Sequence, residues 1–195
     1  PQTNVVLTLI NKCMKYLILT IYLFSALFSQ LSTATNWQSE PAESELNYSV
    51  NFEQLPINGQ FKEFSVDYIS QQQLRVVVNI ASVDMGNSDI NQAIRDVDWF
   101  DVKSHSQAVF LSDNIKAVGE TEFIAEGQLQ LKGISKPVNV PFSWQASAES
   151  AYMTGKLTLS RSDFSIGGPE WASGDQIGID VSVSFAVKML KNVPE

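Results

Sequence analysis

His105 is the single histidine of this 195-residue chain, set in Lys-Ser-His-Ser-Gln, and Cys13 is its single cysteine. A Ser-His-Asp relay would have to run through His105, yet no nucleophile-elbow glycines surround it, and it reads as a solvent-facing loop residue. One histidine is also too few for a zinc centre, which takes three or four nitrogen or sulfur ligands. Asp96, Asp98 and Asp101 crowd one turn and offer the oxygens that calcium takes. They lack the glycine and the spaced acids of an EF-hand loop, and read as a solvated acidic turn. Asp84 and Asp163 are the carboxylates that acid–base chemistry inside a folded core would draw on. No Gly-x-Gly-x-x-Gly follows a strand and no phosphate-binding Gly-x4-Gly-Lys motif occurs, so nucleotides have no cradle.

Whatever these groups do, strands must position them. Leu46, Tyr48, Val50 and Phe52 alternate with polar residues, the period of a half-buried strand. Phe64, Val66 and Tyr68 alternate after a one-residue slip from Phe61, and the slip at Lys62-Glu63 predicts a β-bulge. Leu74 to Ile80, Ala108 to Val118, Phe123 to Leu131 and Tyr152 to Ser160 repeat the pattern. Gly133 to Pro137 predicts a turn leading into Val138, Val140, Phe142 and Trp144. In the last strand, Ile177, Ile179, Val181, Val183, Phe185 and Val187 share one face. Only Ile90, Ala93, Ile94 and Val97 fall at helical spacing, with Ser88 or Asp89 as the N-cap. About eight strands, one short helix and no long repeat predict an all-β, eight-stranded antiparallel β-barrel.

The remaining bulk properties narrow the setting. Hydrophobic residues make up 44% of the chain and charged residues 17%, enough apolar content for a packed core. Asp and Glu total 21 against 13 Lys and Arg, a net charge of -8, which disfavours nucleic acid and anionic membrane surfaces. Met14 and Lys15, an apolar run from Tyr16 to Phe28, and small residues at Ser32 and Ala34 follow the grammar of a secretory signal peptide. Cleavage is expected after Ala34, with residues 1–13 read as translation upstream of the start and residues 35–195 as the barrel domain. An uncleaved anchor drawing also on Val5 to Ile10 is interrupted by Asn11, Lys12 and Lys15. Cleavage removes Cys13, so the exported chain would have neither disulfide nor thiol chemistry.

An eight-stranded barrel either fills its interior with side chains or holds one small guest. Phe52, Phe61, Phe64, Phe110, Trp144 and Phe185 fall largely on inward faces, and pattern alone leaves both readings open. The segments GQFKEF, RDVDWFDVKSHSQAVF, EGQLQLKGISKPVNVPF and RSDFSIG, in that order along the chain, then resemble those of the YceI-like proteins, exported lipocalin-like barrels associated with polyisoprenoid binding. GQFKEF (Gly59 to Phe64) is similar to the family's Gly-x-Phe-x-x-Phe, and RDVDWFDVKSHSQAVF (Arg95 to Phe110) to its aromatic-Phe-Asp turn and following strand. EGQLQLKGISKPVNVPF (Glu126 to Phe142) resembles its Gly-x-Leu-x-Leu-x-Gly and Lys-Pro-Val segments, and RSDFSIG (Arg161 to Gly167) its Arg-Ser-Asp-Phe-Gly-Ile. The chain departs from the family at His105-Ser106, at Met85-Gly86 and at Ser165, which affects loop shape. The resemblance implies a non-enzymatic periplasmic carrier of an amphiphilic isoprenoid, a quinone or polyprenyl chain, with no cofactor and no stable membrane insertion. Phe52, Phe61, Phe64, Val78, Phe110, Trp144 and Phe185 would line its channel. Trp99, Phe100, Phe164 and Trp171 would guard its ends. Arg161 and Asp163 would cap a strand end, pairing with each other or with backbone, and Gly167-Gly168-Pro169 would fold the following loop into a lid. A lipid-modifying enzyme using His105, Asp84 or Asp163, and a filled barrel acting as a partner-binding module, remain as alternatives, and association into a homodimer is left open.

Overall fold

The alternation around Tyr48 produces a strand with one face turned inward. In the computed structural model, which describes residues 36–69 and 72–192, this segment is β2 (Glu45–Phe52), preceded by β1 (Asn36–Ser39). After it come β3 (Leu55–Phe61), β4 (Phe64–Ile69), β5 (Gln73–Asn79) and the short β6 (Val83–Asp84). Helix α1 (Ser88–Ala93) separates these from β7 (Gln107–Ala117), β8 (Glu122–Leu131), β9 (Ile134–Ala146), β10 (Ser150–Ser160) and β11 (Ile177–Asn192). The expected leader, residues 1–34, falls outside the described residues.

These segments build eight staves. β1 pairs with the far end of β11, from Asn36↔Asn192 to Ser39↔Met189, while β2 pairs with its earlier part, so β1 and β2 are halves of one bent stave. β3 and β4 are halves of the next, lying along β2 and β1 in turn. β5, β7, β8, β9, β10 and β11 follow in chain order, and the β1–β11 ladder closes the ring. The architecture is the expected antiparallel, lipocalin-like barrel, in which closure removes the exposed edges of an open sheet.

Several local expectations are corrected. The break at Lys62-Glu63 is a corner, where the chain passes from ladders with β2 and β6 to ladders with β1 and β5. Ser82 braces it: its carbonyl accepts from Lys62 N–H at 3.3 Å and its Oγ from Glu63 N–H at 3.0 Å. The turn expected over Gly133 to Pro137 is only Lys132-Gly133, with φ of 49° and 74°, the left-handed pair that a two-residue hairpin needs. Ile134 to Pro137 are already strand. The N-cap of α1 is Asn87, one residue before the expected pair, its Oδ1 accepting from Asp89 N–H at 2.9 Å and Ile90 N–H at 3.1 Å.

One seam follows from composition. β9 pairs with β8 from Ile134 to Ser143 but with β10 only from Phe142 to Ala146. Pro137 and Pro141 occupy the stretch that β10 leaves unpaired, and neither has an N–H to donate.

The core sits at one end. Trp37 and Trp144 meet edge-on with ring centroids 5.4 Å apart, Tyr68 lies 5.1 Å from Trp144, and the fully buried Met189 packs in the same cluster. This aromatic plug closes the barrel beside β1. The opposite end is covered by α1, the turns that follow it, and the loop after β10.

Candidate functional site

Above the plug the inward side chains do not meet. They leave a cavity of about 640 Å³, within the usual range for small-molecule sites. Val66, Leu74, Phe110, Met153 and Val187 form its floor and belong also to the plug cluster. Alternation along the staves supplies the walls, among them Phe64, Val76, Val78, Leu157, Leu159, Val183 and Phe185. Phe52 and Ile90, 39% and 42% exposed, carry the lining out to solvent and so mark the mouth.

Phe52, Phe61, Phe64, Val78, Trp99, Phe100, Phe110, Phe164, Trp171 and Phe185, all singled out from the sequence, border this cavity. Trp144 does not. It faces inward as expected, but at a level where Trp37 and Tyr68 already fill the barrel, so it supports the floor from below. Trp99, Phe100, Phe164 and Trp171 stand at the mouth alone rather than at two ends, because the other end is plugged. Ile179 drops out of the lining: the β11 ladder with β2 shifts register between Ile177 and Val181, and Ile179 packs against Gly174 instead. Val97, expected on the apolar helix face, lies beyond the end of α1 and is 68% exposed.

The mouth is built from two loops tied together. Gly167 N–H donates to the Asp98 carbonyl at 2.7 Å, and Lys132 Nζ donates to the carbonyls of Asp98 at 3.1 Å and Ser165 at 2.8 Å. Trp99 from one loop and Trp171 from the other tilt together with centroids 6.3 Å apart. Arg161 holds the second loop from inside. It is 5% exposed and donates to the carbonyls of Gly178 at 2.9 Å, Ile166 and Ile177 at 2.8 Å each, and Trp171. Of the two pairings expected for Arg161, backbone is the one formed; Asp163 is exposed and makes no ion pair with it. Gly167 has φ of 100°, and a Cβ there would meet Arg161 Nη1 at 2.6 Å, which is why the loop carries glycine.

The cavity wall holds neither histidine nor carboxylate among the described residues. His105 is half-buried rather than solvent-facing, its ring lying against Gly133 outside the cavity. Asp84 lies on the outside of β6, 2.6 Å from Lys62 Nζ, and hydrogen bonds from Lys62, the Gly86 N–H and Asn91 hold its carboxyl well below the usual carboxylate range. Asp96, Asp98 and Asp101 form no cluster able to hold a metal ion, and no such cluster occurs among the described residues. Tyr48 and Arg161 are the ionisable groups on the wall. Tyr48 donates to Met85 Sδ at 2.7 Å, and burial, with a smaller effect of the Asp84 charge, pushes its phenol far up. Sequence reasoning did not place Tyr48, Arg161, Leu157 or Leu159 on the cavity. The period-two spacing of Leu157 and Leu159 was signal enough, whereas nothing in the sequence marks Met85.

A closed antiparallel barrel, plugged at one end and hollow and apolar at the other, is a lipocalin-like ligand-cavity fold. The chain matches the YceI-like domain over residues 37–189, and it belongs to that family. It is 28% identical to a UPF0312 protein of Pseudomonas putida over 152 residues, covering 72% of this chain and 76% of the relative. A UPF0312 protein of Vibrio parahaemolyticus is 26% identical over 157 residues, covering 74% and 79%. Among solved structures, BcnA of Burkholderia cenocepacia aligns with a TM-score of 0.73 at 28% identity, covering 77% of this chain and 98% of BcnA. A polyisoprenoid binding domain from Saccharophagus degradans, implicated in plant cell wall breakdown, aligns with a TM-score of 0.70 at 19% identity, covering 80% and 98%.

Proposed function

We propose that this chain binds a long-chained amphiphile, an isoprenoid such as a quinone or polyprenyl lipid, inside the barrel and carries it rather than transforming it. The observation behind this is the cavity: about 640 Å³ of apolar-walled space reaching the mouth, in a fold whose other half is densely plugged. Each buried methylene contributes about 0.8 kcal/mol, so a chain gains affinity with length and needs no charged anchor to stay. The absence of a histidine or carboxylate on the described wall favours binding over acid–base turnover. The Saccharophagus relative of the same fold binds polyisoprenoid, which agrees with this choice of ligand. Export to the periplasm, as the signal-like grammar of residues 14–34 predicts, would put the carrier between two membranes, where lipids need chaperoning through water. No helix among the described residues is long and apolar enough to cross a membrane.

Organic extraction of the purified protein followed by mass spectrometry tests the reading. A single-chain lipid recovered near one per barrel is the expected result. An extract without lipid, combined with failure to take up an added polyprenyl alcohol, would show that the cavity is not a lipid site.

A further inference from the structure

The cavity wall departs from apolar character at two places, Asn47 and Tyr48 on β2, and Ser160 and Arg161 at the end of β10. The first pair is occupied: Tyr48 donates to Met85 Sδ at 2.7 Å, and the Asn47 amide donates to Glu45 at 3.3 Å. The second pair is not. A guanidinium has five N–H groups, and Arg161 spends four of them on carbonyls, leaving one hydrogen of Nη1 without an acceptor. Ser160 makes no side-chain capping bond to the turn that follows it, and among the described residues its hydroxyl has no hydrogen-bond partner. All four Arg161 partners are neutral, and no carboxylate among the described residues lies within ion-pair distance, so the charge in this desolvated position is met by carbonyl dipoles alone. Burial pulls its pKa down, but a guanidinium stays protonated. The nearby acids Asp96, Asp98 and Glu170 line a separate pocket, which shares only Ala93, Trp99 and Trp171 with the cavity.

We propose that Ser160 and Arg161 form the head-group site of the cavity, selecting amphiphiles with an oxyanion head, carboxylate or phosphate, over the same chain with a neutral or cationic head. This rests on the lipid-binding reading above and narrows it to an acidic lipid, a polyprenyl phosphate rather than a quinone. The chain would lie along the apolar wall toward the floor, with its oxyanion at the mouth beside the Arg161 charge and accepting from the Ser160 hydroxyl. Cationic heads would meet the same positive charge as repulsion.

Matched sixteen-carbon probes provide the test, with binding measured by calorimetry for hexadecanoate, hexadecyl phosphate, hexadecanol and hexadecyltrimethylammonium, and for inorganic phosphate alone. The two oxyanion probes should bind about tenfold or more tighter than hexadecanol, the scale of a hydrogen bond to a charged group, with the ammonium weakest. Inorganic phosphate should show no measurable binding, since chain burial supplies most of the affinity. Ser160→Ala, which leaves the Arg161 scaffold in place, should lower affinity for hexadecanoate more than for hexadecanol. Equal affinity across heads, or preference for the ammonium, would overturn the head-group assignment while leaving lipid binding intact. Tight binding of phosphate alone would overturn it in favour of a free-anion site. Uptake of none of the chains would overturn both readings.

Discussion

Trp144 and Val183 separate the two jobs that inward side chains perform. Trp144 joins the plug, so Trp144→Ala should cost about 3 kcal/mol of stability, the low end for truncating a large aromatic, and leave the cavity wall unchanged. Val183 borders empty space, so Val183→Trp should fill the cavity with little loss of stability and abolish uptake of a long-chain probe. Urea unfolding and probe binding, measured on both variants, would show the roles reversed if the cavity had been misplaced. Asp84 carries a different signature. Its ion pair with Lys62 depresses its pKa in the folded state, so the stability it contributes is present above the ordinary carboxylate pKa and is lost as pH falls toward the depressed value. Asp84→Asn should therefore unfold at lower urea than the parent at neutral pH. That gap should narrow as the pH is lowered from about 5 to 3, and a gap independent of pH would show that the pair contributes nothing.

At the scale of elements, β9 is the informative case. Over Ile134 to Pro141 it is hydrogen-bonded to β8 alone, because two prolines remove the donors that β10 would use. Amides of β10 from Thr158 to Ser160 should exchange with deuterium faster than those from Ala151 to Gly155, which pair on both sides; uniform protection along β10 would show the seam to be closed in solution. This seam also marks where sequence reading stops. Period-two alternation identified nearly every stave, since one buried face imposes it. Pro137 looks like a turn residue, and only the ladder partners reveal that it stands, like Pro141, within a strand whose neighbour on the β10 side is missing. The corner at Lys62-Glu63 was visible as a phase slip, but a slip cannot distinguish a bulge from a change of partner. Phe52, Phe110 and Phe185 were legible because they sit in alternating strands, whereas Trp99, Phe100, Phe164 and Trp171, outside the strands, came only with the family resemblance. Depth along the barrel was not, which is why Trp144 was assigned to the channel rather than to the plug.

For the whole molecule, a hollow barrel trades core contacts for capacity, and its stability should depend on its guest. A lipid at one hundred times its dissociation constant would stabilise the fold by about 2.7 kcal/mol. The delipidated protein should melt several degrees lower and recover on adding hexadecanoate, and an unchanged melting curve would point to a filled or inert interior. Ring closure through β1 and β11 has a separate effect. Asn36 faces Asn192 across that ladder, beside the Trp37 plug, while Ile177 at the other end of β11 borders the cavity near the mouth. First and last strands thus finish side by side at the blind end of the barrel. A surface or a fusion partner joined directly before Asn36 or after Asn192 would hold the barrel by its base with the mouth facing outward. A circular permutant joining the two ends and opened in the β7–β8 hairpin would keep every stave in place.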